Sequence, residues 1–210
     1  MFKKEEAINF LKRGRVKELN ALIQEELDNG ISAKEILNDG LMVGMGEIGE
    51  RFKRDEIYIP EVLIAARAMN SAITLLRPFL VESGVDPLAI GIICTVQGDL
   101  HDIGKNLVKI MMEGVGIQMF DLGVDVPKEQ VVEAIKQHNA DLVCLSALLT
   151  TTMPYIKEII DAIKEAGLRD RVKIMVGGAP LTQEFADQVG ADAYTPDAGS
   201  AAEKAKSFFI

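Results

Sequence analysis

The chain carries two histidines and two cysteines in 210 residues, and one histidine has a carboxylate beside it. The stretch Gln97-Gly98-Asp99-Leu100-His101-Asp102-Ile103-Gly104 places Asp99 two residues before His101. In a turn, Asp99 can accept the Nδ1 proton of His101 and leave Nε2 as a free lone pair. A metal-ligating imidazole needs such a partner to fix its tautomer and raise its basicity. Gly104 lets the chain pass closely into the next helix. Further on, Ser146, Thr150, Thr151 and Thr152 gather hydroxyls, and Gly177–Gly178 offers backbone that a ligand can approach with no Cβ in the way. His138 stands before Asn139 at a helix end, where it suits the helix dipole and has no chemical role. Cys94 and Cys144 lie inside apolar runs. They read as buried thiols of a reducing cytoplasm, not as a bridge or a metal site.

Two kinds of periodicity organise the elements that must hold these residues. Up to Gly84–Pro87 the pattern is helical. Ile8, Leu11, Leu19, Leu22, Ile23 and Leu27 form one run, stopped by Asn29–Gly30. Ser32 with Glu35 reads as a capping box. Pro60 opens a stretch with Val62, Leu63, Ala66, Met69, Ile73, Leu76 and Phe79 on one face. About four helices are expected, a small bundle over residues 1–86. From residue 87 short apolar strands alternate with helices. Strands are expected at Leu88–Val96, Ile117–Leu122, Leu142–Ser146, Val172–Val176 and Ala191–Tyr194. Between and after them lie helices at Gly104–Val115, Pro127–His138 (with Pro127 at N1), Met153–Ala166, Thr182–Val189 and Ala198–Phe208. The alternation predicts an α/β domain over 87–210: a Rossmann-like, flavodoxin-like parallel sheet of five strands, covered by helices on both faces. Such sheets bind ligands outside the carboxyl ends of their strands. The loop after Val96, the hydroxyls after Ser146 and the glycines after Val176 all fall there.

Several function classes drop out. Neither GxGxxG nor GKS/T follows the first strand, so the usual dinucleotide and nucleoside-triphosphate loops are missing. A net charge of −9 disfavours a phosphate backbone as partner, so no nucleic acid is expected. Apolar runs such as Leu88–Val96 are short against the roughly 20 residues of a membrane span, so no membrane is expected. The charges after Met1 are followed by no signal-type apolar stretch, which points to a cytoplasmic protein.

Asp99-x-His101-x-x-Gly104, followed by Ser146-x-Leu148 and then Gly177–Gly178, resembles the cobalamin-binding signature of methyltransferases and mutases. Asp121–Leu122–Gly123 with Val126–Pro127 extends the likeness across the second domain. In the first, Gly40–Met45, Gly49–Glu50–Arg51–Phe52 and Tyr58–Ile59–Pro60–Glu61–Val62 are similar to the helical cap of methionine synthase and of methyl-carrying corrinoid proteins. Adenosylcobalamin mutases carry the signature without this cap. The whole chain thus resembles the corrinoid protein of a multi-component methyltransferase system.

The resemblance implies a cobamide cofactor, cobalamin or a related corrinoid, methylated in its working cycle. It implies His101 as the cobalt ligand below the ring, Asp99 as its hydrogen-bonded partner and Thr152 as the hydroxyl that extends the relay. Gln97, Gly98 and Leu100 complete the loop under the ring. Ser146, Leu148 and Thr150 match positions beside the corrin or its nucleotide tail. The tail would run past Gly177 and Gly178, with Ala198 near its base. Phe52 and Ile59 match apolar cap residues over the reactive face. No residue is implied as catalytic on its own. The chain would be a non-autonomous subunit that accepts a methyl group through one methyltransferase subunit and yields it through another, with a reductive activase as a further partner. The competing reading is a cobalamin-dependent sensor or a cobamide-binding module without methyl transfer.

Overall fold

The structure, a computed structural model, describes residues 2–84 and 86–210. Met1, which leads the charged N-terminal opening, and Val85, inside the expected change of character at Gly84–Pro87, lie outside the described residues. The chain divides into two compact units, Met1–Pro87 and Leu88–Ile210.

The first unit is all helical. It contains α1 (Lys4–Lys12), α2 (Val16–Asp28), α3 (Ala33–Glu35), a π-helical stretch (Ile36–Met42), α4 (Val43–Lys53) and α5 (Ile59–Glu82). The expected single run from Ile8 to Leu27 is two helices. Gly14 adopts φ +65° between them, a conformation that breaks a right-handed helix and favours a residue without Cβ. Ser32 Oγ accepts from the Glu35 amide at 3.1 Å, so this cap forms as read. From there α3, the π stretch and α4 run on without a gap, which leaves four helical stretches among the described residues of this unit. A Cβ on Gly40 would lie 2.8 Å from Phe2 Cζ, and one on Gly44 2.8 Å from Leu11 Cδ2. These two glycines let the N-terminal segment and α1 press against the π stretch and α4.

Helix α5 amends the expectation about membrane spans. It is 24 residues long and, by length and composition alone, long and apolar enough to cross a bilayer. It also packs against α1, α2 and α4, burying Val62, Ala65, Ala66, Met69, Ala72 and Leu76. Core helices of soluble bundles meet the same criterion of length and composition.

The second unit alternates β1 (Ala89–Thr95), α6 (Ile103–Gly114), β2 (Ile117–Asp121), α7 (Lys128–His138), β3 (Leu142–Ser146), α8 (Met153–Glu165), β4 (Lys173–Gly177), α9 (Gln183–Val189), β5 (Ala193–Tyr194) and α10 (Ala198–Lys206). All four strand pairings are parallel, in the order β2-β1-β3-β4-β5. This is the doubly wound, flavodoxin-like order, in which the chain switches direction beside β1. Pro127 departs slightly from expectation. With ψ 155° it is the N-cap of α7 and not its first helical residue.

Isoleucine, valine and leucine fill the sheet face under α7 and α8. Ile92, Val143, Leu145, Ile174 and Val176 pack with Val131 and Ile135 of α7 and with Ile156, Ile159, Ile160 and Ile163 of α8. Two aspartates hold the amino ends of the strands. Asp141 Oδ2 accepts from the Ile90 amide at 2.9 Å, and Asp192 Oδ2 from the Ile174 amide at 2.7 Å. The register then brings Thr95, Ser146 and Gly177 level with one another at the carboxyl end.

Candidate functional site

Strand β1 ends in a tight turn whose centre is the carboxylate of Asp99. That side chain is fully buried. Its Oδ1 accepts from the His101 amide at 3.1 Å and stands 2.7 Å from His101 Nδ1. Its Oδ2 accepts from the Leu148 amide at 2.7 Å, the Leu149 amide at 3.3 Å and Thr152 Oγ1 at 2.9 Å. Burial alone would raise the carboxyl pKa. The Leu148 amide, the His101 ring and amide, and the Thr152 hydroxyl outweigh it and hold the group well below the usual carboxylate range. An ionised Asp99 fixes the proton of His101 on Nδ1. Nε2 is then a lone pair, and it makes no hydrogen bond among the described residues. The His101 side chain is 53% exposed against 0% for Asp99. One is anchored so that the other can project.

Around the imidazole lie large apolar side chains left in the open. Leu100 is 71% exposed, Ile103 73%, Leu148 40% and Leu149 41%. Four such residues at one strand-end surface suit the apolar face of a ligand better than water. The hydroxyl of Thr152 is buried, also lies 2.9 Å from the Leu149 carbonyl, and so has two acceptors for its one proton.

The glycine pair after β4 divides its work. Gly178 has φ +137°, and a Cβ there would stand 1.9 Å from the Ala147 carbonyl oxygen. Only glycine fits. A Cβ on Gly177 would meet nothing within 4 Å, so its open side is free for a ligand. A Cβ on Gly104 would likewise meet open space, so the expected close entry into α6 does not need glycine for packing. Ser146 ends β3, where its carbonyl accepts from the Val96 amide at 3.0 Å. Thr150 lines a shallow groove of about 480 Å³ between α8 and α9, with Met153, Pro154, Lys157 and Phe185. Ala198 is buried at the start of α10, behind the Asp197 cap. Gln97 and Gly98 are exposed at the tip of the β1 turn.

Phe52 and Ile59 belong to the first unit. Phe52 is partly buried near the end of α4, and Ile59 opens α5 at 40% exposure beside Tyr58 at 70%. The Tyr58 amide donates to Glu61 Oε2 at 3.2 Å, which fixes that helix start.

Other residues near the turn escaped the sequence reading. Thr95 Oγ1, fully buried, donates to the His101 carbonyl at 2.8 Å. Asp125 reaches the same turn from the loop after β2. Lys105 is buried and donates to both carboxylate oxygens of Asp121, at 2.5 and 2.6 Å. Its position directly after Gly104 and the Asp121 at a strand end were the available signals. His138 does have a partner: its ring stacks on Phe120 with centroids 3.9 Å apart. The two thiols are buried as expected, and burial pushes Cys94 up to about 12.

Among the described residues no three His, Cys, Asp or Glu side chains converge on one point. His101 therefore offers a single nitrogen. That donor set suits an axial position on a metal whose other ligands arrive with the group, set on an apolar platform. A cobamide fits these features.

Residues 90–205 match the B12 binding domain family, and residues 4–77 match a second family also described as a B12 binding domain. The chain belongs to the B12-binding family. The dimethylamine corrinoid protein of Methanosarcina barkeri is 43% identical over 186 residues, covering 88% of this chain and 87% of that protein. The trimethylamine corrinoid protein of the same organism is 43% identical over 185 residues, 87% of this chain and 85% of that one. Among solved structures, the methanol:cobalamin methyltransferase complex of M. barkeri matches with a TM-score of 0.87 at 28% identity, over 97% of this chain and 78% of that chain. A cobalamin-binding protein from Desulfitobacterium hafniense DCB-2 matches with a TM-score of 0.81 at 29% identity, over 99% of both chains. This corrinoid protein has the helical, B12-binding first domain and the Rossmann-like second domain expected of it, and its cofactor is a cobamide.

Proposed function

We propose that a methylamine is the source of the methyl group that this corrinoid protein carries. Two kinds of relative support the reading, the dimethylamine and the trimethylamine corrinoid proteins, each alike along most of the chain. The observation that carries the chemistry is the His101 imidazole, tied to buried Asp99 through Nδ1 at 2.7 Å, with Nε2 free and exposed. A bound cobamide supplies a cobalt centre that takes up a methyl group from one partner and releases it to another.

The chain's own residues prepare and guard that centre. His101 Nε2 would be the nitrogen that holds the cobalt. Asp99 keeps the ring in the tautomer that leaves Nε2 its lone pair. Thr152 holds a proton between Asp99 Oδ2 and the Leu149 carbonyl, so it could tune the charge on Asp99 and through it the donor strength of His101. Gln97, Gly98 and Leu100 seat the ring from below, and Leu148 flanks it. Gly104 gives it room at the start of α6. Ser146, Thr150, Gly177, Gly178 and Ala198 line the path of the nucleotide tail. Phe52 and Ile59 of residues 1–86, the cap, are the apolar residues that would shield a methyl group from water without offering a competing donor.

Methyltransferase subunits are the partners, and the neighbour in a methanol:cobalamin methyltransferase complex supports this. A reductive activase is a further partner, and the setting is cytoplasmic, without membrane or nucleic acid.

The test reconstitutes the apoprotein with hydroxocobalamin, reduces the bound cobalt to Co(I) with a low-potential chemical reductant, and then supplies methyltransferase subunits specific for mono-, di- or trimethylamine, or for methanol. One corrinoid per chain is expected, with a base-off, histidine-bound spectrum and methylation from one of the amines. Methylation from methanol alone would replace the donor. Binding without methylation from any donor would favour a sensor or a storage module. Failure to bind would remove the cofactor roles altogether.

A further inference from the structure

The turn that presents His101 is held from two sides. Asp99 ties it to Leu148, Leu149 and Thr152. The second tie comes from the loop after β2. Val126 pairs in parallel with Val96 as an isolated bridge, which draws this loop alongside the end of β1. Asp125, just before the bridge, adopts φ +54°, a left-handed conformation that few non-glycine residues take and that aspartate and asparagine tolerate best. In that conformation its amide donates to the Asp99 carbonyl at 3.0 Å, and its Oδ1 accepts from the Gly98 amide at 2.7 Å. One residue thus clamps the turn at Gly98 and Asp99, on the backbone immediately before the ligand. Gly98 itself has φ +79°, and its amide finds this acceptor outside the turn.

We propose that Asp125 is a positioning residue for the axial ligand. Its carboxylate and its left-handed backbone hold Gly98 and Asp99 so that the His101 imidazole stands ready before the cobamide arrives. The inference rests on His101 as the cobalt donor. Among the described residues Asp125 makes no hydrogen bond to His101 or Thr152; its bonds are to the Gly98 amide and the Asp99 carbonyl, so it acts through the backbone. Thr95 Oγ1 on the His101 carbonyl, at 2.8 Å, holds the far side of the same turn. Without the Asp125 carboxylate the Gly98 amide would lose its acceptor, and the turn would rest on the Asp99 carboxylate, the Thr95 contact and the Asp99 amide on the Val96 carbonyl at 3.2 Å.

Two variants separate the parts of the clamp. Asp125→Gly keeps the left-handed conformation at no steric cost and removes the acceptor. Asp125→Asn keeps both the conformation and an acceptor oxygen. In the apoprotein, hydrogen exchange at the Gly98 amide should quicken in Asp125→Gly and stay slow in Asp125→Asn. In the cobamide-loaded protein, electron paramagnetic resonance of the Co(II) form reads the ligation. Asp125→Gly should leave part of the cobalt without nitrogen splitting and weaken cobamide binding about tenfold, the low end of the losses seen for residues behind a ligand. Asp125→Asn should restore the splitting and most of the affinity. A merely structural role would lower the melting temperature without changing the splitting. The inference is overturned if Asp125→Gly keeps full nitrogen splitting and wild-type affinity, or if Asp125→Asn behaves like Asp125→Gly. Failure of the wild type to bind cobamide would instead fell the cofactor reading, and this inference with it.

Discussion

The turn after β1 and the turn after β4 stand at neighbouring levels of the same sheet, and they are built by opposite means. The first is dense in polar contacts. One buried carboxylate takes five donors, and two further side chains hold the backbone around it. The second consists of missing side chains: Gly178, whose Cβ would overlap the Ala147 carbonyl, and Gly177, whose Cβ would meet nothing. A ligand atom that must sit at one point needs a donor fixed in position and charge. A ligand chain that must pass needs only an unobstructed track. The contrast predicts how each turn fails. The polar turn should lose function while the fold survives, whereas in the glycine turn one position guards the fold and the other the ligand.

The largest effect is expected at Gly178. Gly178→Ala forces a Cβ to within 1.9 Å of a backbone oxygen and adds a strained backbone conformation, itself about 1–3 kcal/mol. The Ala147 backbone lies beside buried β3 and cannot easily yield. Thermal denaturation should show a drop of several degrees or failure to fold. A stable Gly178→Ala protein that binds cobamide normally would show that the turn is not needed as drawn.

Next comes His101→Ala. The fold should survive, because the ring is half exposed and Asp99 keeps its four other donors. The nitrogen splitting in the Co(II) spectrum should vanish, since no other imidazole lies in the turn, and cobamide should bind more weakly. His138→Ala should leave the splitting in place. Persistence of splitting in His101→Ala, with the cobamide base uncoordinated, would overturn the ligand assignment.

Asp99→Asn should cost less than losing the ligand, about 10- to 100-fold in affinity or methyl-transfer rate. It also changes the pH response of the apoprotein. Asp99 titrates below its ordinary value of 3.8 in the fold, so it binds fewer protons folded than unfolded. Its contribution to stability is therefore present above about 4 and is lost as pH falls below that, toward the depressed folded value. Asp99→Asn should flatten the acid limb of stability against pH. An unchanged acid limb would mean that the charge is not held by these donors.

How much of this was legible depended on range along the chain. The Asp99–His101 pair was readable because two residues of spacing in a turn suffice to bring the groups together. The five strands were readable because short apolar runs between amphipathic helices leave few alternatives. The break at Gly14 was missed because the apolar positions on either side keep a helical rhythm across it, and the left-handed glycine that interrupts them is silent in a hydrophobic pattern. Thr95 and Asp125 were missed for a different reason. Thr95 sits inside an apolar strand, where a lone threonine reads as β-propensity. Asp125 acts 26 residues beyond Asp99 through a pairing of Val96 with Val126 that only the folded sheet creates. Its one local mark was an aspartate before Val126–Pro127, at a place where an αL residue is common. Lys105 and Asp121 follow the same rule, since each reads as a surface charge until α6 and β2 pack together.

The smallest expected effect sharpens the difference between the two glycines. Gly177→Ala adds a methyl group into open space at an ordinary backbone conformation, so the apoprotein should be as stable as the wild type, or slightly more so through a less flexible unfolded chain. The new methyl would stand on the track assigned to the nucleotide tail, level with Ser146 and Thr95. Cobamide affinity should therefore fall while stability does not. Cobinamide, which lacks the nucleotide tail, should bind both proteins alike, because it has nothing to place beside Gly177. Titration of apo wild type and Gly177→Ala with the two corrinoids reads all four affinities. Equal loss for both would put the methyl group against the ring and not the tail. No loss for either would return Gly177 to the role of a strand end, with Gly178 alone responsible for the pair.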